Sequence, residues 1–155
     1  MNITKNGTYN LLGKIITVNV QCSGSIPANS EIWYTSVDDN IIEEFNTSDD
    51  VGANLVSNVY ENGKGIAKYD GDVLGWHNGG RVGGPLNKNK MIKTIILPDS
   101  VSRFSMATFM GCSNLISISI PAGLTTWARA QIGGYSQTFS NCTSLTDITY
   151  RGTIE

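Results

Sequence analysis

The stretch IKTIILPDSVSRFSMATFMGC, residues 92–112, is written again as LISISIPAGLTTWARAQIGGYSQTFSNC, residues 115–142, and begins a third time as LTDITY, residues 145–150. Leu115 follows Ile92 by 23 residues and Leu145 follows Leu115 by 30, the excess lying in an insertion over 128–136. Ile92, Leu115 and Leu145 open the copies. Ile95, Ile118 and Ile148 take the fourth position, and Leu97, Ile120 and Tyr150 the sixth. Pro98 and Pro121, Val101 and Leu124, and Phe104 and Trp127 then correspond, and each full copy closes on Phe-x-x-Cys (Phe109 with Cys112, Phe139 with Cys142).

A single copy cannot bury its apolar residues, but stacked copies set Ile95 beside Ile118 beside Ile148 and build a continuous core. A fixed spacing of this length signals a solenoid, and L-x-x-I-x-I is the strand signature of a leucine-rich repeat. The whole phrase, L-x-x-I-x-I-P-x-x-V-x-x-F…F-x-x-C, resembles the BspA-type leucine-rich repeat family of bacterial surface proteins and some phage-associated proteins. The resemblance implies a right-handed solenoid, here of about three to four short coils in a mainly β chain, and a role in adhesion or binding. It brings no active site and no cofactor.

Working outward, the phrase returns in degenerate form from Lys64: Ala67 matches Ile95, Tyr69 matches Leu97, Val73 matches Val101 and Trp76 matches Phe104. Leu86 precedes Ile92 by six residues as Phe109 precedes Leu115, so the register holds across a glycine-rich insert, 77–84. Upstream, Glu31–Thr35 reads as a strand, Asp38-Asp39-Asn40 as a turn, and Ile41, Ile42 and Phe45 as the start of another strand. Leu55, Val56, Val59 and Tyr60 form a further strand before a turn at Glu61-Asn62-Gly63. An irregular capping coil over 31–60, ahead of repeats 64–155, is expected, the whole of 27–155 forming one repeat domain. Residues 1–26 alternate as a small β segment, with a turn at Asn6-Gly7 and a strand bearing Ile16, Val18 and Val20. Its phrase resembles a short β segment of phage structural proteins, which implies attachment or assembly. A two-stranded unit is barely stable alone, so it must dock on the solenoid or on another chain.

With 17 glycines, 8% aromatic and 15% charged residues, the chain is turn-rich and largely neutral, and a net charge of −2 gives no basic patch for nucleic acid. No apolar run approaches the ~20 residues that span a bilayer, and the N-terminus shows no signal-peptide pattern. The expectation is a chain not exported by the usual route unless a leader is missing. Cys112 and Cys142 hold equivalent positions about one strand spacing, ~4.8 Å, apart. A bridge is geometrically open to them, but a ladder of small buried thiols is the simpler reading. His77, the one histidine, has no Cys, Asp or Glu within four residues, which speaks against a triad or a zinc site. Gly79-Gly80-Arg81-Val82-Gly83-Gly84 lacks the Gly-Lys-Ser/Thr of a phosphate loop. The pairs Asp38-Asp39, Glu43-Glu44 and Asp49-Asp50 read as solvated turns. No catalytic or metal site is expected.

Binding is easier to place. Positions 3 and 5 of each repeat strand point away from the core, which gives Ile66, Lys68, Thr94, Ile96, Ser117, Ser119, Asp147 and Thr149 as a mostly uncharged strand face. The inserts add His77, Arg81, Arg129 and Tyr135, since inserts of repeat proteins gather on one rim. Five residues after Tyr150 are too few for another coil, so the open strand edge there is expected to be covered by a second chain or by a neighbour's N-terminal segment. The functional expectation is a non-enzymatic binding or structural module that meets a protein or glycan surface, assembles as a homo-oligomer and does not insert into a membrane. Its preferred setting is a phage virion, as a decoration or fibre-like component. A secreted bacterial surface adhesin is the alternative, and a carbohydrate-active enzyme, which would need a carboxylate pair in a cleft, the third.

Overall fold

The computed structural model describes residues 7–11, 14–20, 25–47, 51–76, 84, 86–105, 107–127 and 137–152. The chain is mainly β, with one short 3₁₀ helix among the described residues, Glu43–Thr47. The repeat strands β6 (Ile92–Ile96), β8 (Ser117–Ile120) and β10 (Asp147–Tyr150) lie side by side, parallel and without slip: Ile95 pairs with Ile118, and Ile118 with Ile148. All three isoleucines are buried. Across the core, β7 (Arg103–Phe104) and β9 (Thr126–Trp127) form a second parallel ladder, pairing Phe104 with Trp127 as the repeat alignment requires.

Each Phe-x-x-Cys turn carries the chain back to the sheet. The residue before the terminal Cys, or before its counterpart Asn89, has a left-handed backbone in all three turns: Lys88 at φ 62°, Gly111 at 76° and Asn141 at 59°. Backbone bonds cross between turns at these places, from Lys88 N to Met110 O and from Gly111 N to Ser140 O. Phe109 and Phe139 stack at 5.5 Å with ring planes 7° apart, and Phe109 meets Trp76 and Phe104 edge-on. The repeat is therefore held by two backbone ladders, a row of turns and an aromatic column between them.

The remaining strands complete one open sheet: β1 (Gly7–Leu11), β2 (Lys14–Val20), β3 (Glu31–Ser36), β4 (Leu55–Glu61) and β5 (Lys64–Tyr69), in the order β1-β2-β10-β8-β6-β3-β5-β4. This order corrects three expectations. The degenerate copy does not lay β5 against β6, because β3 runs antiparallel between them and pairs Trp33 with Ile66 on one side and Ile96 on the other. On the return side that copy does stack directly: Gly75 bridges Arg103, and Ser102 N donates to Leu74 O. A Cβ on Gly75 would lie 2.0 Å from the Arg103 carbonyl oxygen, so the close approach admits only glycine. Residues 31–60 accordingly do not form one capping layer, since β3 sits inside the sheet while β4 forms its edge.

Secondly, Ile42 and Phe45 are buried by a 3₁₀ turn instead of a strand, under the ring of Tyr34. The Tyr34 hydroxyl donates to Asn58 Oδ1 and accepts the Ile42 N–H, which satisfies a buried phenol that burial holds above its ordinary pKa. Gly65, opposite Tyr34, leaves room for the ring: a Cβ there would lie 2.2 Å from it. Asn62 and Gly63, both with positive φ, make the tight β4–β5 turn.

Thirdly, the first hairpin reverses between Leu11 and Lys14, which are register partners, and not at Asn6-Gly7, since Gly7 already pairs with Val18. Its strand β2 lies parallel on β10, so the edge expected to need a neighbour is covered by the chain's own first hairpin.

The alternation of the sheet predicts unequal effects at adjacent positions. Ile118→Asp places an uncompensated carboxylate in the core and is expected to lose the cooperative thermal transition. Ser119→Asp, on the outer face where Ser119 Oγ accepts a bond from Arg151 Nη1, is expected to shift the midpoint by only a few degrees. Similar circular-dichroism melts for the two variants would contradict this arrangement.

Candidate functional site

The outward side chains of the sheet align in a row across six strands, because every ladder step keeps them level: Val59, Ile66, Trp33, Ile96, Ser119 and Thr149. Its first four members are apolar. Val59 is 45% exposed, and Ile66, Trp33 and Ile96 are half-buried. Polar groups flank them: Glu31 and Lys68 are register partners on one side, and Thr35 shares a 2.8 Å hydroxyl–hydroxyl bond with Thr94 on the other. Trp33 is fixed in the middle. Its Nε1–H donates to Glu31 Oε2 at 2.9 Å, and the Lys64 ammonium lies 3.0 Å from its ring centroid. A cation over an indole face contributes roughly 0.5–1 kcal/mol at an exposed site, which biases the ring toward this orientation. Trp33 was hidden from the repeat alignment, because β3 belongs to no copy. Its outward position in the alternating stretch Glu31–Ser36 was the available signal.

Of the residues proposed from the sequence, Ile66, Lys68, Thr94, Ile96, Ser117, Ser119, Asp147 and Thr149 all lie on this face, in surroundings of unequal character. Ile66 and Ile96 join Trp33 in the apolar patch. Thr94, Ser117 and Asp147 form a polar row in register with Thr17. Ser119 is engaged by Arg151. His77, Arg81, Arg129 and Tyr135 lie outside the described residues.

Arg151 is the residue that sequence reading left without a role. Its backbone N–H bonds Ile120 O, and its guanidinium reaches back over two strands to Ser119 Oγ at 2.6 Å, to the Leu97 carbonyl and to Asp99 Oδ1 at 2.9 Å. It clips the ends of β6, β8 and β10 together and closes the polar end of the outer face. Cys112 and Cys142 are both buried. Each thiol donates at 2.9 Å to the carbonyl that opens the preceding turn, Leu86 for Cys112 and Phe109 for Cys142. The neighbouring Cys142 thiol, with burial, pushes the Cys112 thiol far above its ordinary pKa, as suits a thiol that packs in the core. Among the described residues no group of three or more His, Cys, Asp or Glu stands close enough to hold a metal ion, and no helix is long and apolar enough to cross a membrane.

The parallel, unslipped strands and the repeated Phe-x-x-Cys turns are the observations that point to the family of this region. Residues 86–155 match the family model described as BspA type Leucine rich repeat region (6 copies). The match begins at Leu86, the residue that opens the turn leading into the first clear copy. Neither the curated proteins nor the solved structures contain a match to the chain. The BspA-type repeat is a non-catalytic one and points to a protein-interaction or adhesion type of module. What the outer face offers is in keeping with that: area, an aromatic anchor and hydrogen-bonding hydroxyls.

Two measurements check the local readings. Arg151→Gln is expected to cost about 1–3 kcal/mol in urea unfolding, because it strips bonds from Ser119 and the Leu97 carbonyl as well as from Asp99. Asp99→Asn, whose side chain is 53% exposed, is expected to cost under about 1 kcal/mol. Equal losses would mean that the ion pair alone carries the effect. Native Cys112 and Cys142 are expected to resist iodoacetamide at pH 8 and to react fully in guanidinium; mass-mapped labelling of either in the folded protein would refute the buried-thiol assignment.

Proposed function

We propose that this chain is a non-catalytic adhesion module that holds a protein or glycan surface with the outer face of its sheet. The single observation that supports the reading is the row Val59–Ile66–Trp33–Ile96, an apolar strip with a pinned tryptophan at its centre and polar residues on both flanks. Binding energy concentrates on such aromatic anchors ringed by groups that exclude water. Ser117, Asp147 and Thr149 extend the strip with hydroxyls and a carboxylate suited to hydrogen-bonding a polar partner. The repeats are taken as a right-handed solenoid of three to four coils, and residues 1–26 as an attachment segment beside the repeat domain, 27–155. The inserts that carry His77, Arg81, Arg129 and Tyr135 are secondary contact sites in this reading.

The setting proposed is a phage particle, where the module decorates the virion or forms part of a fibre. The support is the resemblance of the N-terminal phrase to phage structural proteins. Peptides of this chain in purified virions would establish that setting; their presence in a bacterial cell-surface fraction instead would replace it with a secreted adhesin.

The face itself is tested by substitution. Trp33→Ala and Ile96→Arg are each expected to weaken adhesion to host cells at least tenfold while the thermal midpoint moves by only a few degrees, and Val37→Arg, off the row, is expected to leave adhesion intact. Undiminished adhesion in both row variants would remove this face from the function.

A further inference from the structure

The hairpin that covers β10 has a property the repeat alignment did not reveal. With Thr17 opposite Asp147 and Val18 opposite Ile148, the stretch Ile15-Ile16-Thr17-Val18-Asn19-Val20 falls in step with Leu145-Thr146-Asp147-Ile148-Thr149-Tyr150. It reads I-x-x-V-x-V against the L-x-x-I-x-Y of that copy. β2 is thus a repeat strand in both pattern and position: it lies parallel to β10 where the next copy would stack, with the same zero slip that joins β10 to β8. Beyond the strand the likeness to a true copy ends. No Pro-x-x-Val-x-x-Phe return comes after Val20 in the sequence, and β2 is backed by its antiparallel partner β1.

Recognition between β2 and β10 is therefore written in the pairing itself. In the sheet β2 has two neighbours, β1 and β10, and the hairpin's seat on the repeats is the ladder from Asp147 to Tyr150. Such a seat is indifferent to which chain supplies the strand. The chain supplies its own by an unusual route, because its first strands stand next to its last. Val20 is level with Tyr150 and Ile120, and β3 is reached only beyond β10, β8 and β6. That is four strand spacings, about 19 Å, for the residues between Val20 and Glu31 to cross.

We propose that the β1–β2 hairpin is an exchangeable plug, and that β10 accepts the hairpin of a second copy of this chain when copies are concentrated. A short covalent connection gives the chain's own hairpin an effective concentration of roughly millimolar. Self-capping therefore prevails in dilute solution, and exchange between copies competes once their local concentration reaches the same range. Exchange adds no new interface: one set of ladder bonds replaces an identical set, the low-cost route to association by swapped elements. The proposal does not depend on the adhesive face, whose residues it leaves untouched between Val59 and Ile96.

Register partners Asn19 and Thr149 provide the test. Full-length chains in a Cys22→Ser background carry Asn19→Cys, Thr149→Cys or both, and are refolded from guanidinium under reduction and then oxidised. The double variant, refolded at about 5 µM, is expected to close within one chain and to run faster on a non-reducing gel. The two single variants, refolded together at about 1 mM, are expected to give the mixed Asn19→Cys/Thr149→Cys dimer well above the roughly twofold excess over either like pair that random pairing gives, the two concentrations lying far below and at the effective value. A mixed dimer at no more than twice the level of each like pair, the ratio that random pairing gives, overturns the exchange, and failure of the double variant to close at the lower concentration overturns the seating of β2 on β10.

Discussion

The parallel ladder through Thr94, Ser117, Asp147 and Thr17 is the constraint on which the structure depends. Because it runs without slip, Ile95, Ile118 and Ile148 meet as one buried column while their neighbours meet as one outer face. A shift of one residue in any strand would exchange the two faces. Every other device serves to hold that zero slip. The left-handed residues at Lys88, Gly111 and Asn141 give the turns identical shape, the thiols of Cys112 and Cys142 tie each turn to the one before it, and Arg151 spans the strand ends. Fully burying one isoleucine contributes about 1.5–3 kcal/mol relative to leaving it exposed. A stack that repeats the same burial at each level gains it only while all levels agree.

The equivalence of copies was legible in the sequence because it is a statement about spacing. The pairs Ile95–Ile118, Phe104–Trp127 and Phe109–Phe139 align by residue number alone, and they are partners in space. What spacing cannot show is the insertion of an element that belongs to no copy. Ala67 and Tyr69 carry the repeat's apolar positions whether β5 lies against β6 or one strand away, since both arrangements bury the same face. The deciding features are non-local: Gly65 yielding space to the ring of Tyr34, and Thr35 meeting Thr94 across the ladder. Similarly, Ile41, Ile42 and Phe45 form too short a run for periodicity to separate a strand from a 3₁₀ turn.

The outer face was legible only in part, for the same reason. Strand alternation turns Ile66, Ile96, Thr94 and Thr149 outward. It could not say that Ile66 and Ile96 flank a tryptophan from another strand, or that Ser119 is already taken by a guanidinium 32 residues further along the chain. The side chains with the most specific surroundings, Trp33 and Arg151, are those outside the repeated phrase. The phrase supplies a scaffold, and the individuality of the surface comes from what interrupts or terminates it.

The inserted strand has one more effect. Between the copy that contains Gly75 and the copy that contains Arg103, the return side is in direct backbone contact, while the sheet side is spread by the full width of β3. The two layers therefore sit flush at one margin and one strand apart at the other, which seats Trp33 on the outer face between Ile66 and Ile96.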